Sequence, residues 1–155
     1  FYEGKADWDA VRRVKDAITI PLVINGDIFD GASAREALDR SGADAVMIGR
    51  ASYGRPWLAG MIAARAAGLL GSMPSNIGEY VITHYEAMLA LYGSATGVRH
   101  ARKHLGWYLD ANVRALPKPL RQEVMTQTEP RAVIASLKQA FSGEWQATMT
   151  EILAA

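Results

Sequence analysis

The sequence predicts an α/β segment followed by an all-α segment, and three observations predict it. Ile20-Pro21-Leu22-Val23-Ile24 runs into Asn25-Gly26-Asp27, and Ala45-Val46-Met47-Ile48 runs into Gly49-Arg50, so two short apolar runs each close in a glycine turn. One helix-length segment separates them. After Arg50 no β-branched or alternating stretch of strand length recurs. Strand, turn, helix, strand, turn is a βαβ unit, whose two turns emerge side by side at one sheet edge. Backbone N–H groups converge there on an anion, glycine lets a phosphate approach the chain, and Arg50 adds a planar fork of cationic donors. The pattern marks a place for a phosphorylated cofactor.

The elements follow in order. Residues 7–17 read as a helix with Trp8, Val11, Val14 and Ile18 on its apolar side and Arg12, Arg13 and Asp16 turned outward. Thr19 leads into the first strand, a β-branched run of the kind covered on both faces in parallel sheets. Asp30 is placed to cap the next helix, which passes through Ala34, Ala37 and Leu38 and stops at Ser41-Gly42, where glycine accepts left-handed geometry. The second strand begins at Ala45. Residues 57–70 read as an Ala-rich helix, and Gly71-Ser72-Met73-Pro74-Ser75 as a connector. Asn76 and Glu79 resemble a capping box opening a helix that reaches Tyr92 and meets Gly93. Further helices are predicted over residues 96–109, over residues 118–126 behind Pro117, and after a Thr128 cap with Pro130 in the first turn. Residues 1–72 and 73–155 thus form two domains, without internal repeats or low-complexity tracts.

Half of the 155 residues are apolar, enough for a substantial core, and no apolar run is long enough to span a bilayer. Phe1-Tyr2-Glu3-Gly4 shows neither an initiating Met nor a basic leader, and reads as a start inside something longer. The chain has no cysteine, which excludes disulfides, thiolate metal sites and a cysteine acid or nucleophile within these residues and agrees with a cytoplasmic setting. The net charge of +1 is unevenly spread: residues 93–121 hold six Lys/Arg against one Asp/Glu, a block of +5. Such a block suits an acidic partner, above all nucleic acid.

Two parallel strands alone would leave unpaired edges and apolar faces, so further strands are expected from upstream sequence or from a second copy of the chain. Strand-helix units with phosphate-binding turns at the strand C-termini match the last βα units of a TIM (β/α)8 barrel, whose phosphate site commonly follows strands seven and eight. The predicted architecture is the end of such a barrel followed by a small helical bundle.

Four motifs carry a resemblance: Tyr2-x-Gly4-x-Ala6-Asp7-Trp8; Ile20-Pro21-x-x-x-Asn25-Gly26-Asp27-Ile28; Val46-Met47-Ile48-Gly49-Arg50 with Gly54-x-Pro56-Trp57; and Arg102-Lys103-His104-Leu105-Gly106-Trp107-Tyr108. In this order and spacing the chain resembles the tRNA-dihydrouridine synthase family, in its bacterial B-type branch, over nearly its whole length. The resemblance implies a flavoprotein oxidoreductase of tRNA processing. Such enzymes reduce the C5–C6 double bond of uridines with FMN, refilled by NADPH, and the hydride chemistry is the flavin's. It also implies a proton-donating cysteine, a flavin-contacting lysine and a histidine on earlier strands and loops. None of those catalytic groups matches a position here, so the chain alone is expected to be inactive. Tyr53 and Arg55 stand where the family pattern carries less bulky or amide residues.

The resemblance assigns the flavin phosphate to Asn25, Gly26 and Asp27 of the first turn and Gly49 and Arg50 of the second. Asn-Gly-Asp also closes strands for local reasons alone. Arg99, Arg102 and Lys103 share a helical side, and with His104, Arg114, Lys118 and Arg121 form the candidate tRNA-binding set, against an ordinary solvated face. His100 and His104, four apart, lack a third ligand, and no metal site is expected. Trp107 and Tyr108 fit either the core or a flipped base. The alternatives are an RNA-binding module without chemistry and a phosphate-binding barrel enzyme acting on a sugar phosphate.

Overall fold

The computed structural model describes residues 4–142, so Tyr2 of the first motif lies outside the described residues. The chain divides into two compact units, Phe1–Met73 and Pro74–Ala155, with Met73 grouped with the first unit.

The first unit runs α1 (Trp8–Ala17), β1 (Val23–Asn25), α2 (Gly31–Ser41), β2 (Ala45–Met47), a single 3₁₀ turn (Arg50–Ser52) and α3 (Leu58–Ala66). Asp7 caps α1 by accepting the Ala10 N–H, and Asp30 caps α2 reciprocally with Ser33. Gly42 ends α2 at φ 67°. The strands pair in parallel with Val23 opposite Ala45, Ile24 opposite Val46 and Asn25 opposite Met47. Alternation then puts Ile24 and Val46 on one face, where they pack with Trp8, Ile28, Ala34, Ala37 and Ile62. The other face carries Val23 and Met47, 57% and 46% exposed. Among the described residues of this unit the expected two-sided cover is therefore absent, because the core they form gathers on one side of the sheet.

Strand β1 is also shorter than its apolar run. Pro21 has no N–H for a ladder, and the Leu22 N–H goes to the Asp44 carboxylate at 2.7 Å, beside the Lys15–Asp44 ion pair. Helix α3 stops short of the predicted residue 70, because Gly68 turns to φ +71° and the chain closes with Leu69 N–H on Ala64 O at 2.8 Å. Leu70 is left fully exposed. Arg12 of α1 donates from its guanidinium to Asp39 O and Arg40 O, tying off the last carbonyls of α2.

The second unit is α4 (Ile77–Tyr92), α5 (Ser94–Asn112), α6 (Lys118–Thr126) and α7 (Pro130–Ala140). Ile77, Val81, Tyr85, Leu105, Leu109 and Leu137 are fully or nearly fully buried. At Gly97 a Cβ would lie 2.9 Å from Leu89 Cα and Met88 O, so α4 and α5 pack backbone to backbone there. Helix α5 is longer than the predicted 96–109 at both ends: it starts directly after Gly93 and ends with Asn112 Nδ2 donating to Tyr108 O at 2.9 Å. The cap of α7 is Glu129, which accepts the Ala132 N–H at 2.8 Å, and not Thr128. Pro130 takes the first helical position and fixes the preceding residue as the cap. Among the described residues no helix is long and apolar enough to cross a membrane.

Candidate functional site

Because β1 and β2 run parallel and in register, Asn25 and Met47 end level, and the two glycine turns leave the sheet at the same edge. Asn25, Gly26, Asp27, Gly49 and Arg50 all line one open cavity of about 570 Å³, with Ala6, Phe29 and Tyr53 among its other walls. Each turn is built differently. Gly26 adopts φ +100°, and a Cβ there would lie 2.7 Å from Ala6 Cβ, so glycine is required twice over. Asp27, itself at φ 52°, is held by its side chain: Oδ2 accepts the Ala6 N–H at 2.7 Å. Trp8 Nε1 donates to Gly26 O at 3.0 Å. The first turn is thus fastened to residues 6–8.

Gly49 has a negative φ of −96°, and nothing lies within 4 Å of a Cβ placed on it. Its carbonyl accepts the Ser52 hydroxyl at 2.7 Å, fixing the 3₁₀ turn that begins at Arg50. Arg50 Nη2 lies 4.0 Å from Asp27 Oδ1, bringing the second turn's cation against the first turn's carboxylate. An open glycine beside an arginine in a half-enclosed cavity suits a phosphate, and these residues fit an anionic cofactor tail. Ala6 belongs to the first motif and Tyr53 departs from the family pattern, but neither they nor Phe29 carries a sequence signal for lining this cavity.

In the helical unit the candidate cations separate into three kinds. Arg99, Lys103, Arg114 and Lys118 are exposed, with Lys103 Nζ 5.0 Å from the Trp107 ring centroid. Arg102 instead donates to Thr126 O and Gln127 O at 3.2 and 3.4 Å, the final carbonyls of α6, and its Nε is buried. Arg121 pairs with Asp110 at 2.8 Å, so the block's single acid compensates charge where the sequence suggested almost none.

The rings of the fourth motif line up between α4 and α5. Tyr108, 3% exposed, meets His84 Nδ1 through its hydroxyl at 2.9 Å. Burial, with the neighbouring Tyr80 adding to it, pushes the Tyr108 phenol up and keeps it neutral. His104 meets His84 at 5.6 Å and Trp107 at 5.1 Å between centroids. Burial, then the nearby His84 and Lys103, holds the His104 imidazole below its usual range. His100 turns to a different neighbour and stacks on Tyr92. The two histidines therefore do not converge, and no metal-ligating cluster of three occurs among the described residues. Of the two aromatics, Tyr108 is core and Trp107 is partly exposed.

The fold and site define a βα turn pair lining one cavity, in a chain whose helical unit carries a basic block at residues 93–121. Residues 1–146 match the family model described as dihydrouridine synthase, and the chain belongs to that family. It is 49% identical over 141 residues to a probable tRNA-dihydrouridine synthase of Rhizobium leguminosarum bv. phaseoli, covering 91% of this chain and 43% of the relative. A protein of the same name in Rhodobacter capsulatus is 48% identical over 92% of this chain and 44% of its own length. The tRNA-dihydrouridine synthase B of Xanthomonas axonopodis pv. citri is 40% identical over 91% and 46%. The chain spans less than half the length of these relatives.

Proposed function

We propose that the chain is part of an FMN-dependent tRNA-dihydrouridine synthase that reduces the C5–C6 bond of uridine in tRNA, with NADPH as reductant. Residues 1–72 form the end of its barrel and 73–155 its tRNA-binding domain. When bound, the flavin supplies the hydride chemistry. Asn25, Gly26, Asp27, Gly49 and Arg50 hold its phosphate: Arg50 provides charge, Gly49 room, and Asp27 keeps the first turn in shape. Arg99, Lys103, Arg114 and Lys118 attract the RNA backbone, with His104 and Arg121 at their side. A tRNA substrate fits a cytoplasmic setting. The observation that carries this reading is that all five residues assigned to the cofactor line one cavity.

Titration of FMN by fluorescence tests it, and Arg50→Ala is expected to weaken binding at least ~10-fold, the effect of losing one charge-assisted contact. Supplied with the remaining portion of the Rhizobium relative, the chain is expected to form dihydrouridine with NADPH. A complex without flavin or activity would refute the enzyme reading. The second reading, an RNA-binding module without chemistry, draws on the six basic residues against one acid in residues 93–121. It is distinguished by salt-sensitive tRNA binding without flavin binding.

A further inference from the structure

Helix α4 ends with two large apolar side chains facing solvent: Leu91 is 74% exposed and Tyr92 48%. Tyr92 is nevertheless ordered by a ring partner, since His100 of α5 lies parallel to it, with centroids 5.1 Å apart and planes within 13°. His100 is exposed as well, and so is its neighbour Arg99. With Tyr92 half exposed, the His100 stack leaves ring surface open to solvent. The stack includes a residue of the block of residues 93–121, which carries six basic residues and one acid.

An aromatic pair with a cation adjacent to it in sequence has two parts of a single-stranded nucleic-acid reader: a flat surface for a base and a charge for its phosphate. A protein partner would be met by the same apolar surface, but the local charge favours a polyanion. We infer that Tyr92 and His100 form a stacking platform for an unpaired nucleobase, with Leu91 flanking it and Arg99 on the adjoining phosphate. This rests on the tRNA reading above and adds to it two aromatic rings, Tyr92 and His100, that the cationic set assigned to RNA contact does not include. It needs no acid-base chemistry and no metal, only an RNA segment whose bases are not already stacked.

The test is the whole chain titrated with two probes, an unmodified tRNA transcript and a fully paired RNA duplex of similar length, across a range of salt. Tyr92→Ala is expected to weaken the transcript ~10-fold, within the cost of losing one base-aromatic stack, and to leave the duplex and the salt slope unchanged. Tyr92→Phe keeps the ring and is expected to bind as the parent does. Arg99→Ala is expected to weaken both probes and lower the salt slope by about one. Because Tyr92 is half exposed, an unchanged unfolding midpoint checks that Tyr92→Ala still folds. In the parent, the His100 ring proton resonances shift on addition of the transcript. If Tyr92→Ala binds the transcript like the parent while Arg99→Ala weakens it, the platform is overturned and the tRNA reading stands. If the parent chain binds neither probe, both fall. Equal losses on transcript and duplex would also overturn the platform, since a duplex offers no free base.

Discussion

The indole Nε1 of Trp8 donates to the carbonyl oxygen of Gly26 at 3.0 Å, joining the first residue of α1 to the glycine turn that closes β1. Trp8 is 7% exposed and packs in the core with Ile24, so the bond is held on a rigid support. Trp8→Phe keeps most of the packing and removes the donor. The Gly26 carbonyl then lacks this partner, at a cost of roughly 1 kcal/mol. The urea midpoint is expected to fall with the slope unchanged, and FMN binding to weaken as the turn loosens. An unchanged midpoint would show that the bond carries no stability.

The two glycines that flank the cavity are expected to respond oppositely to alanine. Gly26→Ala forces a left-handed alanine and drives its Cβ against Ala6, so it should destabilise the chain by roughly 1–3 kcal/mol. Gly49→Ala meets no protein atom, so it should destabilise the chain less than Gly26→Ala does. Its methyl enters the space assigned to the phosphate, and FMN affinity should drop. Melting curves and flavin titrations of the pair separate folding from binding. Two variants that lose stability alike would refute the distinction.

Arg102 sits in the motif that points to RNA, yet its guanidinium is engaged by Thr126 O and Gln127 O. Lys118 begins the same helix, α6, and is exposed. Arg102→Ala should therefore destabilise the helical unit by roughly 1.5 kcal/mol, the scale of a hydrogen bond from a charged donor. The salt slope of tRNA binding should be retained. Lys118→Ala should leave stability alone and reduce the slope by about one. Paired thermal melts and salt titrations decide it, and a reduced slope for Arg102→Ala would return that residue to the RNA-facing set.

Much of this fold was legible where a local signal acts within four residues. Asp30, Gly42, Asn76, Gly93 and Pro117 each mark a helix boundary through their own backbone or side chain, and the helices end where they say. The pairing of the two glycine turns was legible too, because a βαβ unit brings both strand ends to one edge. What was not legible depends on partners distant in sequence. Arg12 and Arg102 read as outward-facing cations, yet each closes the C-terminus of a helix packed beside its own. No residue near either arginine announces those carbonyls. The Arg121–Asp110 pair spans a turn whose path the sequence does not specify, and the early end of α3 turns on a Gly68 that reads equally as a tolerated helical glycine.

Acid should loosen the helical unit through His104. Burial is the largest cause holding its folded-state imidazole below the usual value, followed by the neighbouring His84 and Lys103. In the unfolded chain the ring takes up its proton near the ordinary value of about 6.5. The unfolded state thus binds more protons between that value and the lower folded one, and stability rises with pH across that window. The contribution is complete above about pH 6.5 and is lost as pH falls toward the folded-state value. His104→Gln keeps a polar side chain of comparable reach without the titration. The midpoint of urea unfolding, followed from pH 7.5 to 5, should fall less steeply for this variant than for the parent. Identical slopes in the two proteins would assign the acid sensitivity elsewhere.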